Sequence, residues 1–309
     1  MRLGIVVVYL VSEDDEQLLD LHLSRIEKHT RCLYTIYGSA NRLWPKFRRK
    51  LEEHPKVRIC KCPTTDLRGY EEHSFYLEHL VRIAIEDGVT HVVTLHVDSF
   101  PVRSDWVEEL TGKLSNSCAL VSIQASDAYL MLPSTACMLF HRDFYLKYCP
   151  SFLPSREDLS LMEYKRFLEE FGQKFHSGSG YTFKAHLHGV SWHRMLRSNM
   201  GGDHYQIGCI YDDLVFHLGA AARKVFLGDY QWIIKSKARN VISSTLWKIS
   251  NTLLSQRARA KVLDILPRRV LWFLEPQYRK NFEAYQNVRM QLFKDPESYL
   301  KYLRTGETP

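Results

Sequence analysis

An imidazole and a carboxylate directly follow an apolar run in the first third of the sequence. The run VVTL at 92–95 is typical of a buried strand, and it ends at His96 and Asp98. Residues two apart on an extended backbone point to the same side, so we expect these two side chains to lie together. Imidazole and carboxylate groups bind divalent cations, and a bound cation can hold a diphosphate. The alternative is that Asp98 caps the next turn and His96 is only packed.

Strands and helices alternate in the part of the chain that must position this pair. The alternation is typical of an α/β fold with a mostly parallel sheet and helices on both faces. In such sheets ligands bind beyond the carboxyl ends of the strands, which is where His96 and Asp98 lie. The apolar periodicity predicts strands at 3–10, 32–40, 57–62, 91–98 and 118–125, and helices at 14–29, 45–54, 70–88 and 104–114.

The regular alternation fades after Pro133. We predict an amphipathic helix at 160–175 and a loop-rich segment at 201–224. From about residue 235 the chain reads as helices only. We therefore divide it into a catalytic domain, 1–234, and a basic helical extension, 235–309.

The text LHVDSFP at 95–101 resembles the DxD region of GT-A glycosyltransferases, in particular family-2-like enzymes whose text is LDSDAFP. His96 replaces the first aspartate, as in some GT-A families that use one His beside one Asp. The preceding helix is similar to that family's helix as well, and it keeps Gly69 and His73. The resemblance covers roughly residues 3–225. It implies a GT-A fold, a nucleotide-diphosphate sugar donor and a divalent metal, and the imidazole shifts the preference from Mg²⁺ towards Mn²⁺.

A second stretch, IYDDLVFHLGAAAR at 210–223, is similar to the family's IYGDLVYHxGxGxR. The resemblance makes His217 the third metal ligand, so that Asp98 and His217 hold the ion from opposite sides. Gly219 would let the backbone approach a phosphate, and Arg223 would pair with the diphosphate. The alternative for His217 is a core histidine that follows the apolar residues LVF.

The nucleotide site of GT-A enzymes lies at the first strand and the loop after it. The resemblance assigns Val8 and Tyr9 to the base and ribose, with Tyr9 as a stacking partner. Ser39 or Asn41, after the second strand, would hold the base, although an ordinary β–α turn explains both residues equally well. His73 is also assigned to the donor site.

An inverting transferase needs a group that deprotonates the acceptor hydroxyl. The family's text DTGxG, which begins with that aspartate, is HSGSG at 176–180 in this chain. His176 is suited to act as a base near neutral pH, because the ordinary pKa of histidine is about 6.5. Asp212, Asp213 and Asp203 are the other candidates. If none of them serves, the enzyme is retaining, altered or inactive.

The basic charge of the chain is concentrated in the extension. Residues 235–309 hold fifteen Lys and Arg against six Asp and Glu, whereas the whole chain has a net charge of +7. With Trp247 and Trp272 this composition suits peripheral contact with an anionic membrane, which would agree with a lipid-linked acceptor. The alternative is an extension that packs on the catalytic domain or forms a homodimer. We expect no nucleic-acid partner, because no helix-turn-helix, RNP or zinc-finger pattern is visible.

Composition narrows the remaining classes of protein. No run of 18 apolar residues exists, and the N-terminal apolar run reads as a strand because acidic residues follow it without a cleavage site. Seven scattered cysteines without a CxxC pair indicate reduced thiols. We therefore expect a cytoplasmic protein, or one at the inner face of the membrane.

The resulting hypothesis is a metal-dependent glycosyltransferase, inverting in mechanism. It would move a sugar from a nucleotide-diphosphate donor to an acceptor hydroxyl of a glycan or lipid-linked molecule, in cell-envelope or polysaccharide assembly. One alternative is a non-catalytic nucleotide-sugar-binding relative with a degenerate site. Another is a nucleotidyltransferase, which would call for a Gly- and Arg-rich loop after the first strand; the text VSEDDEQ lacks it.

Overall fold

The computed structural model of the protein describes residues 1–11, 15–41, 43–67, 69–126, 130–171, 177–202, 204, 207–219 and 276–307. Of the predicted site residues, His176, Asp203 and Arg223 lie outside the described residues. So does most of the basic extension, including Trp247 and Trp272.

The described elements follow the predicted alternation closely in the first half of the chain. The strands are β1 Arg2–Val8, β2 Leu33–Ser39, β3 Val57–Cys60, β4 His91–Leu95, β5 Ser99–Pro101, β6 Cys118–Ser126, β7 Leu130–His141, β8 Ser191–Met195, β9 Cys209–Tyr211 and β10 Val215–His217. The helices are α1 Glu16–His29, α2 Pro45–Glu53, α3 Tyr70–Glu86, α4 Trp106–Gly112, α5 Arg142–Tyr148, α6 Arg156–Ser160, α7 Met162–Glu170, α8 Ser179–Leu187, α9 Pro276–Lys294 and α10 Pro296–Thr305.

A seven-stranded sheet in the order β3-β2-β1-β4-β7-β6-β8 forms the centre of the molecule. Strand β7 runs antiparallel to its two neighbours, and the other neighbouring strands are parallel. The predicted α/β class with a mostly parallel sheet is therefore confirmed. The carboxyl ends of β1 and β4 lie side by side, because Val7 pairs with Leu95.

Helices cover both faces of this sheet. On one face, α1, α2 and α4 bury residues such as Leu23, Phe47 and Trp106 against the alternate positions Ile5 and Val93. On the other, α3, α5 and α8 pack on the intervening positions of the same strands. The central strands are apolar on both sides for this reason, which is why they read as continuous hydrophobic runs.

A second sheet, in the order β5-β10-β9, sits beyond the end of β4. Its apolar residues Phe100, Phe216 and Leu218 form one buried cluster with Tyr285 of α9 and Leu303 of α10. The two described helices of the predicted extension thus pack on the body of the protein. None of the described helices is long and apolar enough to cross a membrane.

Three details of the predicted elements are wrong. Strand β4 ends at Leu95, so His96 and Asp98 follow the strand and do not belong to it. The long strand β7 was not predicted, because its centre carries Pro133 and small polar residues. Helix α4 begins after Asp105, two residues later than predicted, and the hydroxyl oxygen of Ser104 lies 3.1 Å from Nδ1 of His29.

Candidate metal centre at the rim of the sheet

Pairing between β5 and β10 brings the two predicted metal-binding stretches together. His217 pairs with Ser99 in this antiparallel ladder. The backbone N–H of Leu218 also donates to the carbonyl oxygen of Asp98 at 2.9 Å. Two stretches that are far apart in the sequence therefore meet at the rim of the main sheet, just past the end of β4.

The side chains of His96, Asp98 and His217 converge, with one potential ligand atom from each within 4.8 Å of the others. Oδ1 of Asp98 lies 3.6 Å from Nε2 of His217 and 3.9 Å from Nδ1 of His96. Ligands bound at about 2.0–2.2 Å from one ion stand roughly 3.0–3.5 Å apart. The two distances from Asp98 exceed this range by a few tenths of an ångström, and the ligand atoms of all three residues lie within 4.8 Å, so inward side-chain movements of roughly an ångström would bring them to the spacing that a divalent cation needs.

The donor set also indicates which cations fit. Two imidazoles and one carboxylate suit Mn²⁺, Co²⁺ or Zn²⁺ better than Mg²⁺, which prefers oxygen ligands and retains water. Asp98 is 4% exposed, whereas both histidines are partly exposed. A cation held here would keep its open coordination positions on the accessible side of the carboxylate.

A tight turn, and not an extended backbone, places His96 beside Asp98. The turn is closed by the backbone N–H of Ser99, which donates to the carbonyl oxygen of His96 at 3.0 Å. The hydroxyl of Ser99 accepts from the backbone N–H of His96 at 2.8 Å. The pairing of the two side chains was predicted correctly, but the reason given for it was wrong.

Thr135 of β7 contacts the second ring nitrogen of His96. Nε2 of His96 lies 3.1 Å from Oγ1 of Thr135, and the backbone oxygen of Thr135 accepts from the hydroxyl of Thr94 at 2.8 Å. With the proton on Nε2, the ring donates to Thr135 and turns the lone pair of Nδ1 towards Asp98. Such a partner fixes the orientation and tautomer of a metal-binding histidine.

His73 lies against the centre, and its assignment to the donor site stays a prediction. Its ring meets the ring of His96 edge-to-face, with centroids 4.9 Å apart. Gly69 begins the same helix, α3, with a φ of 71°, a backbone conformation that favours glycine. The glycine and the histidine of the resemblance thus have separate uses: one starts the helix, and the other faces the candidate ligands.

His22 of α1 contacts the backbone of the turn that carries His96 and Asp98. It is fully buried, and its Nδ1 lies 2.9 Å from the carbonyl oxygen of Ser99. Burial lowers the pKa of His22 to about 4, although the contact with Ser99 and the charge of Asp98 oppose that shift. A neutral His22 therefore donates from Nδ1 to the backbone next to Asp98.

Two of the predicted nucleotide contacts are core residues. Val8 is buried, and Tyr9 is only 1% exposed, with its ring between His22 and β2. A Cβ on Gly38 would stand 2.8 Å from the Tyr9 ring, so the glycine is needed for this packing. The predicted stacking of Tyr9 on a base is wrong, because the ring has no free face.

Ser39 and Asn41 stabilise the turn after β2. The buried hydroxyl of Ser39 donates to the Asn41 side chain at 3.1 Å, and Nδ2 of Asn41 donates to the carbonyl oxygen of Cys62 at 3.1 Å. This arrangement favours the structural alternative for Ser39. Asn41 is exposed, and its assignment to the base stays a prediction.

Asp212 and Asp213 occupy the turn between β9 and β10, at the opposite end of that hairpin from His217. Asp212 accepts from the backbone N–H of Leu196 at 2.9 Å and lies 2.8 Å from Nε2 of His193. Asp213 is paired with Arg304, whose Nη2 donates to it at 2.8 Å. The structure does not bring either carboxylate to the three candidate ligands, which argues against both as the catalytic base.

Comparisons with known proteins concern the fold. No family model matches the chain, and no curated protein matches it either. The chain is similar in fold to a mannosyltransferase from Pyrobaculum calidifontis in complex with GDP-Man and Mn²⁺, at 11% identity and a TM-score of 0.44, over 96% of this chain and 88% of that one. It is similar to mouse xyloside xylosyltransferase 1 at 9% identity and a TM-score of 0.41, over 63% and 85%.

A third similar structure is the 4-diphosphocytidyl-2C-methyl-D-erythritol synthase of Anaerococcus prevotii, at 8% identity and a TM-score of 0.38, over 66% of this chain and 88% of that one. These similarities concern the overall fold, and the resemblance to GT-A glycosyltransferases stays a prediction from the sequence. At such identities and TM-scores, the likenesses assign no activity, and function must be argued from the residues of this chain.

Proposed function

We propose that the protein is a metal-dependent glycosyltransferase that uses a nucleotide-diphosphate sugar. The observation that carries this proposal is the convergence of His96, Asp98 and His217 beyond the carboxyl end of β4. Ligands bind at this edge of open α/β sheets. A cation at this position would neutralise the negative charge that develops on a diphosphate leaving group.

The residues of the chain would divide the work as follows. Asp98, His96 and His217 hold the ion, and His73 faces the donor beside His96. Arg223, outside the described residues, is kept as a proposed partner of the diphosphate. In the transfer, the acceptor oxygen forms a bond to the anomeric carbon, and the bond from that carbon to the diphosphate oxygen breaks with its electron pair on the diphosphate.

The base that takes the acceptor proton is proposed to be His176. This histidine lies outside the described residues, and its covalent neighbour Ser177 contacts helix α3. The hydroxyl of Ser74 donates to the hydroxyl of Ser177 at 2.9 Å, and Ser74 follows His73 on α3. A base on the face opposite the leaving group would give an inverting reaction.

Binding and turnover measurements test the proposal. Isothermal titration of UDP and GDP, with and without Mn²⁺, should show nucleotide binding that depends on the cation. His217→Ala should abolish this dependence, and His193→Ala, at a histidine paired with the distant Asp212, should not. Metal-independent nucleotide binding, or an unchanged His217→Ala variant, would contradict the proposal. Metal-dependent binding without donor turnover would indicate the non-catalytic alternative.

The acceptor and the cellular setting are also proposals. We keep the boundary at 234/235, the cytoplasmic location, and peripheral contact between the basic extension and anionic lipid near a lipid-linked acceptor in envelope or polysaccharide assembly. Apart from Arg289 and Arg304, which pair with Asp15 and Asp213, the basic residues of 235–309 support the membrane contact. Cosedimentation should be stronger with anionic vesicles than with neutral ones. Equal sedimentation would contradict the contact, and size-exclusion chromatography would test the homodimer.

A further inference from the structure

The antiparallel ladder that joins the two metal-binding stretches is short. Strands β5 and β10 have three residues each, and His217 at the end of β10 pairs with Ser99 at the start of β5. Pro101, in the last pair, has no backbone N–H with which to strengthen the ladder. A slip of one residue would turn every side chain of β10 to the other face of the sheet. The position of His217 beside Asp98 therefore depends on the contacts that fix this register.

The turn between β9 and β10 lies at the other end of this ladder. The backbone N–H of Leu214 donates to the carbonyl oxygen of Tyr211 across the turn, and the N–H of Val102 donates to the carbonyl oxygen of Leu214, both at 2.9 Å. The two central residues, Asp212 and Asp213, have φ angles of 48° and 59°. Positive φ at both central positions is typical of the type I′ turn, where Asn, Asp and Gly are favoured. The turn thus joins β9 to β10 and, through Val102, reaches the end of β5.

The carboxylate of Asp213 connects three parts of the chain at this turn. Arg304 of α10 donates to it twice, from Nε to Oδ1 at 2.5 Å and from Nη2 to Oδ2 at 2.8 Å. Arg103, which follows β5 and also pairs with Asp105, has its Nη1 3.5 Å from Oδ2 of Asp213. The backbone N–H of Asp213 donates to the hydroxyl of Ser198 at 2.8 Å. One residue therefore ties the turn both to α10 and to the segment after β5.

Helix α10 is itself anchored to the body of the protein. Leu303, next to Arg304, is fully buried in one cluster with Phe216 of β10. Near the start of the helix, the carboxylate of Glu297 lies 3.2 Å from Nη2 of Arg25, a buried residue of α1. Arg304 therefore acts from a fixed helix, and its two parallel hydrogen bonds fix the direction of the bound carboxylate as well as its distance.

We infer that Asp213 and Arg304 are positioning residues for the metal centre. With Arg103, their pair holds the turn end of β10 level with the end of β5, and this register sets His217 opposite Asp98. Neither residue is a metal ligand, because both act through the three-residue ladder. The inference rests on the proposed function, since it takes the three candidate ligands as a cation site. It extends that function by making the C-terminal helix α10 a part of the architecture of the site.

Titration of Mn²⁺ alone, without nucleotide, tests the effect on the ligands directly. Asp213→Asn removes the charge but keeps a residue that tolerates positive φ, so the turn itself is preserved. It should weaken Mn²⁺ affinity about fivefold, and so should Arg304→Gln; the double variant should be no weaker than the weaker single one, since the two residues act as a unit. Each affinity is measured well below the melting temperature, on protein that circular dichroism shows to be folded.

Asp212→Asn is the matched control, because it makes the same substitution at the neighbouring position of the same turn. The partners of Asp212 are His193 and the backbone of Leu196, on β8 and directly after it, so Mn²⁺ affinity should stay within about twofold of the wild-type value. Arg304→Lys should lie between Arg304→Gln and the wild-type protein, with a loss of about threefold, because an ammonium group cannot form both parallel hydrogen bonds.

Wild-type Mn²⁺ affinity in folded Asp213→Asn and Arg304→Gln would overturn the inference, and so would an equal loss in Asp212→Asn. If neither of the first two variants folds, Arg304→Lys carries the test, and wild-type affinity there would contradict the inference. Failure of the proposed function looks different. A wild-type protein that binds no Mn²⁺ would overturn both proposals, whereas one that binds Mn²⁺ but neither UDP nor GDP would contradict the proposed donor alone.

Discussion

Carboxylates lie beside histidine or arginine at both ends of the β9–β10 hairpin, but with different spacing: Asp212 and Asp213 form its turn, and Asp98 lies next to the end of β10. At the turn, Asp212 and Asp213 have donors at 2.8–2.9 Å, within hydrogen-bond distance. At the other end, Asp98 has two imidazole nitrogens at 3.6 and 3.9 Å, beyond that distance. The first spacing suits direct hydrogen bonds, and the second leaves room for an ion between the side chains.

The difference shows that residue type alone does not identify a metal ligand or a base. The sequence offers Asp212, Asp213 and Asp98 as carboxylates of equal chemical capacity. Their surroundings separate them, because a carboxylate that already accepts well-aligned hydrogen bonds would lose these on binding a cation or taking a proton. Substitutions at either end of the hairpin test whether these carboxylates differ in function.

The largest expected effect is that of Asp98→Asn. The amide keeps the shape of the side chain but removes the negative charge that holds the cation, so transfer should fall by more than about a hundredfold. Asp212→Asn should change it by less than about fivefold, since the amide oxygen still accepts from Leu196. Initial rates of donor consumption with Mn²⁺ measure both variants. Equal losses would end the distinction between the two ends.

Thr135→Val should weaken Mn²⁺ binding about tenfold. The substitution keeps the volume of the side chain and removes the hydroxyl that contacts Nε2 of His96, and the loss of such a partner typically costs 10- to 100-fold in metal affinity. Thr111→Val is the matched control, since its hydroxyl donates only to helix α4. Unchanged Mn²⁺ affinity in Thr135→Val would show that the orientation of His96 does not depend on Thr135.

His96→Asp should alter metal selectivity rather than abolish activity. It restores two carboxylates at the turn, and oxygen ligands favour Mg²⁺ more than imidazole does. The ratio of activity with Mn²⁺ to activity with Mg²⁺ should fall about tenfold. Metal titrations of the wild-type and variant proteins measure this ratio. An unchanged ratio would remove His96 from the ligand set.

The smallest expected effect concerns His22, which contacts the backbone next to Asp98. Burial holds the pKa of His22 at about 4, below its unfolded value near 6.5, so the unfolded chain takes up the proton first. The contribution of His22 to stability is complete above pH 6.5 and is lost as pH falls towards 4. A loss of roughly 3 kcal/mol is an upper value for this fully buried group.

Melting temperatures between pH 7 and pH 4 test this contribution. His29 and His91 also have pKa values lowered to about 4, chiefly by burial, so the wild-type protein should lose stability through all three. In His22→Gln, the fall in melting temperature between pH 7 and pH 4 should be several degrees smaller than in the wild-type protein. Parallel curves for the two proteins would show that His22 adds nothing to the pH dependence.

Much of the fold was predictable because its first half is periodic. Each strand up to β4 and each helix up to α3 has a clear apolar repeat and a clear stop, so the observed bounds differ from the predicted ones by only a few residues. Strand β7 lacks that signal, because Pro133 and its small polar neighbours read as a break. A strand fixed by its two antiparallel neighbours can carry such residues without a period of its own.

The candidate site was predictable where a short motif carries it. His96 and Asp98 were identified from their position after a strand, and His217 from a resemblance in the surrounding text. Thr135 and His22 were missed, since each acts through contacts that only the folded chain creates. Tyr9 was misassigned for the same reason: nothing near it in the sequence shows that Gly38 opens a space for its ring.

The pairing of β5 with β10 has a thermodynamic consequence. A cation that binds His96, Asp98 and His217 joins two stretches that the unfolded chain keeps apart, so it should bind the native state far better than the denatured one. Heat denaturation should then shift upward with the logarithm of free cation concentration. The centre would thus join the turn after β4 to the hairpin of β9 and β10 in a reversible way.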